Sequence, residues 1–316
     1  MGFWHRIGRP LRRATGALAL AAALASTGCG SRSPEPAGTA QVSGLMLDLE
    51  LREISGLTVS RRHADTLWMH DDGGNPARLF AVSREGRRIA TFRVEGVPKT
   101  DWEDISAFRL DGRDYLLLAD TGDNGGLRRT LQLHVIEEPS TLVNARLRPA
   151  WSIVFRWPDG ARDSEAVAVD AASRRVLLVS KKRRPPELFT LPLAPTANVQ
   201  VARRVARLRM PAFLAAQGEA GAATPLAAQV TAADVAPDGR SLALITYRHL
   251  LVWSRRPGED WPQAVAREPL ESPLPWLPQA EALGWDRDGQ HVFVSGEFIP
   301  APLYRIRLDT GSDRRR

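Results

Sequence analysis

Apolar residues in this chain fall in short β-type runs, and few segments carry the 3.6-residue period of an amphipathic helix. Runs at residues 56–60, 66–70, 79–83, 89–94, 115–119, 131–136, 176–180, 242–246, 250–254, 291–294 and 303–308 each predict a strand. Turn signals separate them: Asp111-Gly112, Pro158-Asp159-Gly160, Pro237-Asp238-Gly239 and Asp288-Gly289. The rhythm is that of an all-β fold.

A short pattern recurs five times among these runs. It is a polar residue, any residue, an acidic or hydroxyl residue, usually a small residue and then usually an aliphatic one. The copies are Glu53-Ile-Ser55-Gly-Leu57, Asp101-Trp-Glu103-Asp-Ile105, Asp163-Ser-Glu165-Ala-Val167, Gln229-Val-Thr231-Ala-Ala233 and Gln279-Ala-Glu281-Ala-Leu283, at intervals of 48, 62, 66 and 50 residues. Each copy precedes a strand, a turn, a hydrophobic strand and further strands, which is the composition of a propeller blade. Five four-stranded blades are expected, with a sixth, degenerate blade inside the longer intervals as the alternative. The last unit lacks a fourth strand, and residues 44–51 are placed to supply it and close the ring. Residues 210–228, rich in Ala, Gly and Pro, read as a loop or short helix inserted between blades three and four.

The N-terminal 29 residues follow a different pattern. Arg6, Arg9, Arg12 and Arg13 precede about twelve apolar residues at 14–25, too short to span a bilayer and suited to a signal-peptide core. The stretch ends in Leu24-Ala25-Ser26-Thr27-Gly28-Cys29, a lipobox-like sequence in which Cys29 is the residue to be lipidated. The expected organisation is a lipoprotein signal at 1–28, Cys29 with a Ser/Pro/Gly/Ala-rich tether to residue 41, a propeller over 42–310 and a basic tail at 311–316. Gly30 and Ser31 lack the aspartate that retains lipoproteins at an inner membrane, so the expected location is the outer membrane, facing the periplasm. Cys29 is the single cysteine, which excludes intrachain disulfides and cysteine-based metal sites.

Charge excludes little but excludes one thing clearly. The chain carries 43 Lys and Arg against 36 Asp and Glu, and the four signal arginines and Arg314, Arg315 and Arg316 account for the whole excess. The folded body is near neutral, and no clustered basic face marks a nucleic-acid partner. P-loop, dinucleotide-binding, His-Glu-x-x-His and Gly-x-Ser-x-Gly motifs are all missing from the sequence.

Candidate chemistry follows from the repeat. In a propeller the first strand of each blade lines the axis, so Glu53, Asp101, Glu103, Asp163, Glu165 and Glu281 are expected to converge on one opening, with Ser55, Gln229, Thr231 and Gln279 at the equivalent places. Converging carboxylates raise one another's pKa unless positive charge sits among them. A divalent cation with oxygen ligands, Ca²⁺ first and Mg²⁺ or Mn²⁺ second, would relieve the repulsion; Lys or Arg side chains or water would also serve. A second duplication, Asp-x-Gly-x-Asn, links Asp71, Asp72 and Asn75 to Asp120, Asp123 and Asn124; it fits either Asx-stabilised turns or cation ligands. Lys182, Arg248 and Glu297 occupy equivalent strand ends in later blades and give a mixed-charge rim, and His70 is the histidine placed to act as a base. The tryptophans read as packing between blades.

The repeats beginning at Glu53, Asp101 and Asp163, together with Asp120-Thr-Gly-Asp-Asn124, resemble secreted β-propellers of the SdiA-regulated and phytase-like groups, relatives of WD- and NHL-type propellers. The resemblance implies a propeller with an acidic, calcium-binding centre and leaves the activity open, because propeller groups share architecture while differing in function. Two functions are expected from the whole sequence: a lipid-anchored envelope propeller that binds a protein or small ligand, or a metal-dependent hydrolase of phosphoesters or lactones.

Overall fold

The computed structural model describes residues 38–194, 198–215 and 225–308. The signal segment, Cys29, most of the tether and the basic tail lie outside the described residues.

Five antiparallel sheets radiate as the blades of a five-bladed propeller. From the axis outward, blade 1 contains Ile54–Val59, Thr66–Asp71, Arg78–Ser83 and Arg88–Val94. Blade 2 contains Trp102–Leu110, Arg113–Asp120, Leu131–Glu137 and Trp151–Arg156. Blade 3 is built from Ala166–Asp170, Arg175–Val179, Glu187–Pro192 and Arg203–Arg207, and blade 4 from Val230–Val235, Ser241–Thr246, His249–Ser254 and Leu270–Pro273. Blade 5 takes Ala280–Trp285, His291–Gly296 and Ala301–Arg307 from the C-terminal end and Ala40–Met46 from the N-terminal end. Each inner strand packs against the inner strands of both neighbouring blades, so the ring closes.

The long intervals hold no sixth blade among the described residues. Their extra length goes into two short strands that reach back to the preceding blade. Ala145–Leu147 pairs in parallel with the outer strand of blade 1, and Gln200–Val201 pairs in parallel with that of blade 2. Each covers an edge whose N–H and C=O groups would otherwise be unpaired.

The closing strand lies slightly earlier than its hydrophobic pattern suggests. It begins at Ala40, inside the stretch assigned to the tether, and Leu49–Leu51 forms a 3-10 turn instead of continuing it. Asp48 causes the change: its side chain accepts from the Glu50 N–H and competes with strand pairing. The closing strand also grips blade 1. A Cβ on Gly44 would lie 2.2 Å from the Glu85 carbonyl carbon, so only glycine lets the two backbones come together, and Leu45 N–H donates to the Glu85 carbonyl nearby.

Five apolar clusters fill the five gaps between adjacent blades, with Trp68 and Trp102 between blades 1 and 2, Trp253 between 3 and 4, and Trp285 between 4 and 5. Those four tryptophans are 2% exposed or less and pack as the sequence pattern predicts. The described α-helices are two short pieces, Ala212–Ala215 and Trp261–Val265. The first lies in the insertion between blades 3 and 4, as expected.

Candidate metal centre at the channel mouth

The repeated third residue owes its position to a defect in pairing. In the inner strands of blades 1, 2, 4 and 5 the register skips one residue: Ser55, Glu103, Thr231 and Glu281, respectively. A bulge of this kind bends the strand and re-aims the extra side chain. Blade 3 reaches the same place differently, since Glu165 immediately precedes its inner strand. The hydroxyls at these positions are used within the ring. Ser55 donates to the Glu103 carbonyl oxygen at 2.9 Å, and Thr231 donates to that of Ala280 at 2.6 Å. The carboxylates are left to face one another.

Two groups of carboxylates come together here. Oxygens of Asp72, Asp101 and Glu103 lie within 4.8 Å of one another, as do oxygens of Glu103, Asp163 and Glu165. Glu103 belongs to both. Burial raises its pKa well above the ordinary carboxylate range, and Glu165, Asp72, Asp101 and Asp163 raise it further. Burial also pushes Glu165 up to about 8, against the pull of the Lys181 ammonium that ion-pairs with it. Asp101 rises to about 6 through burial and the charge of Asp72. Lys182 pairs with Asp163 at 2.7 Å and with Asn124 at 2.6 Å. The second oxygen of Glu165, Oε2, is buried without a hydrogen-bond partner among the described residues.

The remaining members of the predicted acidic set have hydrogen-bond partners of their own, although the charge of Glu281 still raises the pKa of Glu165. Glu53 adopts φ 60 and accepts from Asn75 Nδ2 at 2.8 Å. Glu281 accepts from the Tyr247 hydroxyl at 2.9 Å, and the Lys181 ammonium lies 5.5 Å from the Tyr247 ring. Glu297 is bonded by Gln279; burial and the charges of Glu281, Asp72 and Glu53 push it up to about 7. The mouth therefore has an acid-rich side on blades 1 to 3 and a self-satisfied side on blades 3 to 5.

The Asp-x-Gly-x-Asn duplication splits between scaffold and site. Asp71 is held by Lys99 at 2.8 Å and Arg78 at 3.1 Å. Asp120 pairs with Arg128 at 2.6 Å and accepts the Thr100 and Asp101 N–H groups, which sets the approach to Glu103. Asp123 caps its own loop through the Leu127 and Arg128 N–H groups. Of these, Asp72 places a carboxylate oxygen in the cluster itself. Gly122 forms the floor: a Cβ there would lie 2.1 Å from Glu103 Oε1 and 2.3 Å from Asp101 Oδ2, so the space the two oxygens occupy exists because residue 122 has no side chain.

His70 lies away from this opening. It is fully buried, stacks edge-on against Trp102 with ring centres 5.7 Å apart, and has Gly56 against its other edge. Burial and the Lys99 charge lower it to about 4, so it is neutral at physiological pH. Arg248 ties down a loop, donating to the Leu277 carbonyl at 3.3 Å.

Below the mouth the channel is blocked by groups the repeat pattern conceals. Asp104, at the fourth place of its repeat where a small residue is usual, is fully buried. One of its oxygens accepts from Val167 N–H at 2.8 Å and Ala233 N–H at 3.1 Å; the other accepts from Ile105 N–H at 2.8 Å. It thereby joins blades 2, 3 and 4 across the axis. Asp234 similarly accepts from Trp285 N–H at 2.8 Å and Val235 N–H at 2.9 Å. Arg61 donates to the Ala107 carbonyl at 3.0 Å. The one sequence signal for Asp104 is an acid where its repeat partners have Gly or Ala.

No family model and no curated protein matches the chain. Among solved structures, hydrazine synthase of Kuenenia stuttgartiensis is 11% identical, with a TM-score of 0.42 over 81% of this chain and 72% of that one. A luciferin-regenerating enzyme is 10% identical, with a TM-score of 0.45 over 84% of this chain and 95% of that one. Both are likenesses of chain path and carry no chemistry across.

Proposed function

We propose that this protein is a lipid-anchored propeller of the cell envelope that binds its ligand through a divalent cation held at the acidic mouth. The observation that carries the cation is the oxygen Oε2 of Glu165, buried and unpartnered beside the oxygens of Glu103 and Asp163. An unpaired buried carboxylate oxygen is costly, and a hard cation is the partner that several converging carboxylates accept together. Glu103, Glu165 and Asp163 would hold it, with Asp72 and Asp101 on the second side of Glu103. Lys181 and Lys182 each neutralise one carboxylate of the set, which leaves the cluster anionic. Bound there, the cation would present a positive centre to a ligand's oxygen atoms.

The lipobox at Cys29 supports the anchor, and the tether to the first strand reaches at most ~40 Å when extended. The propeller would then work close to the membrane, with an envelope protein or small molecule as ligand and no nucleic acid. Replacing Cys29 with Ala should abolish labelling by radioactive palmitate; retained labelling would remove the anchor from this reading.

The cation is tested by calorimetric titration of the chelator-treated protein with Ca²⁺, Mg²⁺ and Mn²⁺. One bound equivalent and a rise in melting temperature are expected. Absence of both would overturn the reading. The Glu165 carboxyl beside Lys181, pushed up to about 8, also suits a group that exchanges protons near neutral pH, and this favours hydrolysis of a phosphoester or lactone as the second reading. Cation-dependent turnover of an aryl phosphodiester or an aliphatic lactone, lost in Glu165→Gln, would decide for it.

A further inference from the structure

Three large aromatic side chains stand half or nearly half out of the described surface: Trp276 at 73% exposure, Phe298 at 50% and Phe213 at 46%. All belong to connections at the end of the propeller that carries the acidic mouth, Phe213 on the short helix Ala212–Ala215 and the other two on loops. Phe213 and Trp276 lie on the links that enter the inner strands of blades 4 and 5, and Phe298 lies between the second and third strands of blade 5. The same end carries Glu281 and Glu297.

Trp276 is displayed on a braced loop. It sits within Leu274-Pro275-Trp276-Leu277-Pro278, where two prolines stiffen the backbone. Leu277 beside it is fully buried, Leu274 N–H donates to the Arg248 carbonyl at 2.8 Å, and Arg248 returns a bond to the Leu277 carbonyl. A loop braced in this way has already lost backbone freedom that binding would otherwise remove. The aromatic side is also tied to the acids. Gln279 is three positions after Trp276, at most ~11 Å along the chain, and it bonds Glu297, the neighbour of Phe298. The opposite rim of the mouth, on blades 2 and 3, carries exposed Arg129 and Arg183.

We infer that this face is a binding site for an acidic oligosaccharide, with a sugar ring stacked on Trp276 and uronate carboxylates directed to the mouth and the basic rim. The aromatics lie on connections of blades 4 and 5 and the arginines on loops of blades 2 and 3, with the acids of the inner strands at the same end. A flat aromatic surface takes the apolar face of a pyranose, and hydrogen-bonding groups around it take the hydroxyls. Arg129 and Arg183 match carboxylates in sign. A membrane or an apolar protein surface fits less well, because the loops that carry Trp276 and Phe298 also carry Gln279 and Glu297, and Arg248 bonds the first of them. Coordination of a uronate to the mouth cation rests on the function proposed above; stacking on Trp276 does not.

The test is calorimetric titration of the full chain with galacturonate oligomers, neutral glucose oligomers of equal length and a lysine-rich peptide, each with Ca²⁺ and with chelator. Galacturonate oligomers should bind in Ca²⁺, and Trp276→Ala should weaken them at least tenfold while leaving the melting temperature unchanged. Phe298→Ala should weaken them less, and the paired Arg129→Ala and Arg183→Ala change should make binding indifferent to uronate charge. Ca²⁺ binding alone, with no oligosaccharide bound, would overturn this inference and leave the cation standing. Equal binding with and without Ca²⁺, still lost in Trp276→Ala, would keep the platform and remove the cation. Preference for the peptide, or wild-type affinity in Trp276→Ala, would also overturn it.

Discussion

Glu103 and Asp104 are neighbours in sequence, both carboxylates and both buried, yet the fold uses them in opposite ways. Asp104 sits in the waist of the channel and accepts three backbone N–H groups from three blades. Glu103 sits one residue nearer the mouth, at the bulge, where its neighbours are other carboxylates and one weakly placed hydroxyl, Ser55 Oγ at 3.4 Å. Both are driven above the ordinary carboxylate range by burial. The difference is in the donors: backbone amides anchor the first, and none reaches the second. A carboxylate bonded by the scaffold serves stability, and one crowded by its own kind is available to a ligand.

The largest effect expected from that contrast is on stability. Asp104→Ala strips the acceptors from three N–H groups in the closed waist, and at ~1–3 kcal/mol for each such group left unsatisfied the total loss should be about 4 kcal/mol. For a domain of this size that is a fall of about 10 °C or more in melting temperature. Glu103→Gln should cause no fall and, without added cation, a small rise. Equal losses in the two variants would break the comparison.

Cation affinity should respond in the reverse sense. Glu103→Gln and Glu165→Gln should each weaken Ca²⁺ about a hundredfold by titration, and a variant of the scaffold carboxylate Asp71 conservative in shape, Asp71→Asn, much less. Gly122→Ala sharpens the point without altering charge. Its Cβ would displace the oxygens of Glu103 and Asp101, and the expected cost is about tenfold in affinity, the scale of one lost good contact.

The pH dependence follows from the same crowding. Glu165 and Glu297 have folded-state values of about 8 and about 7, above their unfolded values. The stability they contribute is complete below the unfolded carboxylate range near pH 4 and is lost as pH rises through 7 and 8. The cation-free protein should thus melt lower at pH 8 than at pH 5. Saturating Ca²⁺ should flatten or reverse that slope, because the cation binds the ionised form. A cation-free protein that grows more stable between pH 5 and 8 would contradict the crowded mouth.

The smallest effect belongs to the self-satisfied side. Tyr247→Phe removes one hydrogen bond to Glu281 and should cost about 1 kcal/mol, with cation affinity nearly unchanged. A large loss of affinity would mean that Glu281 belongs to the centre after all.

Much of this was legible beforehand, for identifiable reasons. Period and turn chemistry are local, so the strands and the blade count could be read from runs such as 242–246 and 250–254 and from five copies of one pattern. The third residue of that pattern placed Glu103 and Glu165 on the same level, Glu103 at a bulge shared with blades 1, 4 and 5 and Glu165 just before the inner strand of blade 3. The pattern was blind to which acids would find donors. Glu53 meets Asn75 and Glu281 meets Tyr247 across gaps of 22 and 34 residues, and no local rule foretells those meetings. The role of Asp104 carries no such mark, because its partners are backbone amides, two of them from other blades, and every sequence possesses those.

By itself, then, the sequence determined the all-β class, the five-fold repeat, the strand that closes the ring and the set of acids aimed at one end of the axis. These are matters of side-chain period and residue type at fixed spacing. Only the tertiary structure decided which acids remain unneutralised, that Asp104 and Asp234 shut the channel below them, and that Trp276 is displayed while Trp68, Trp102, Trp253 and Trp285 are packed away. Each of those outcomes depends on what lies across a gap between blades, and that is settled by closure of the ring rather than by any neighbouring residue in the chain.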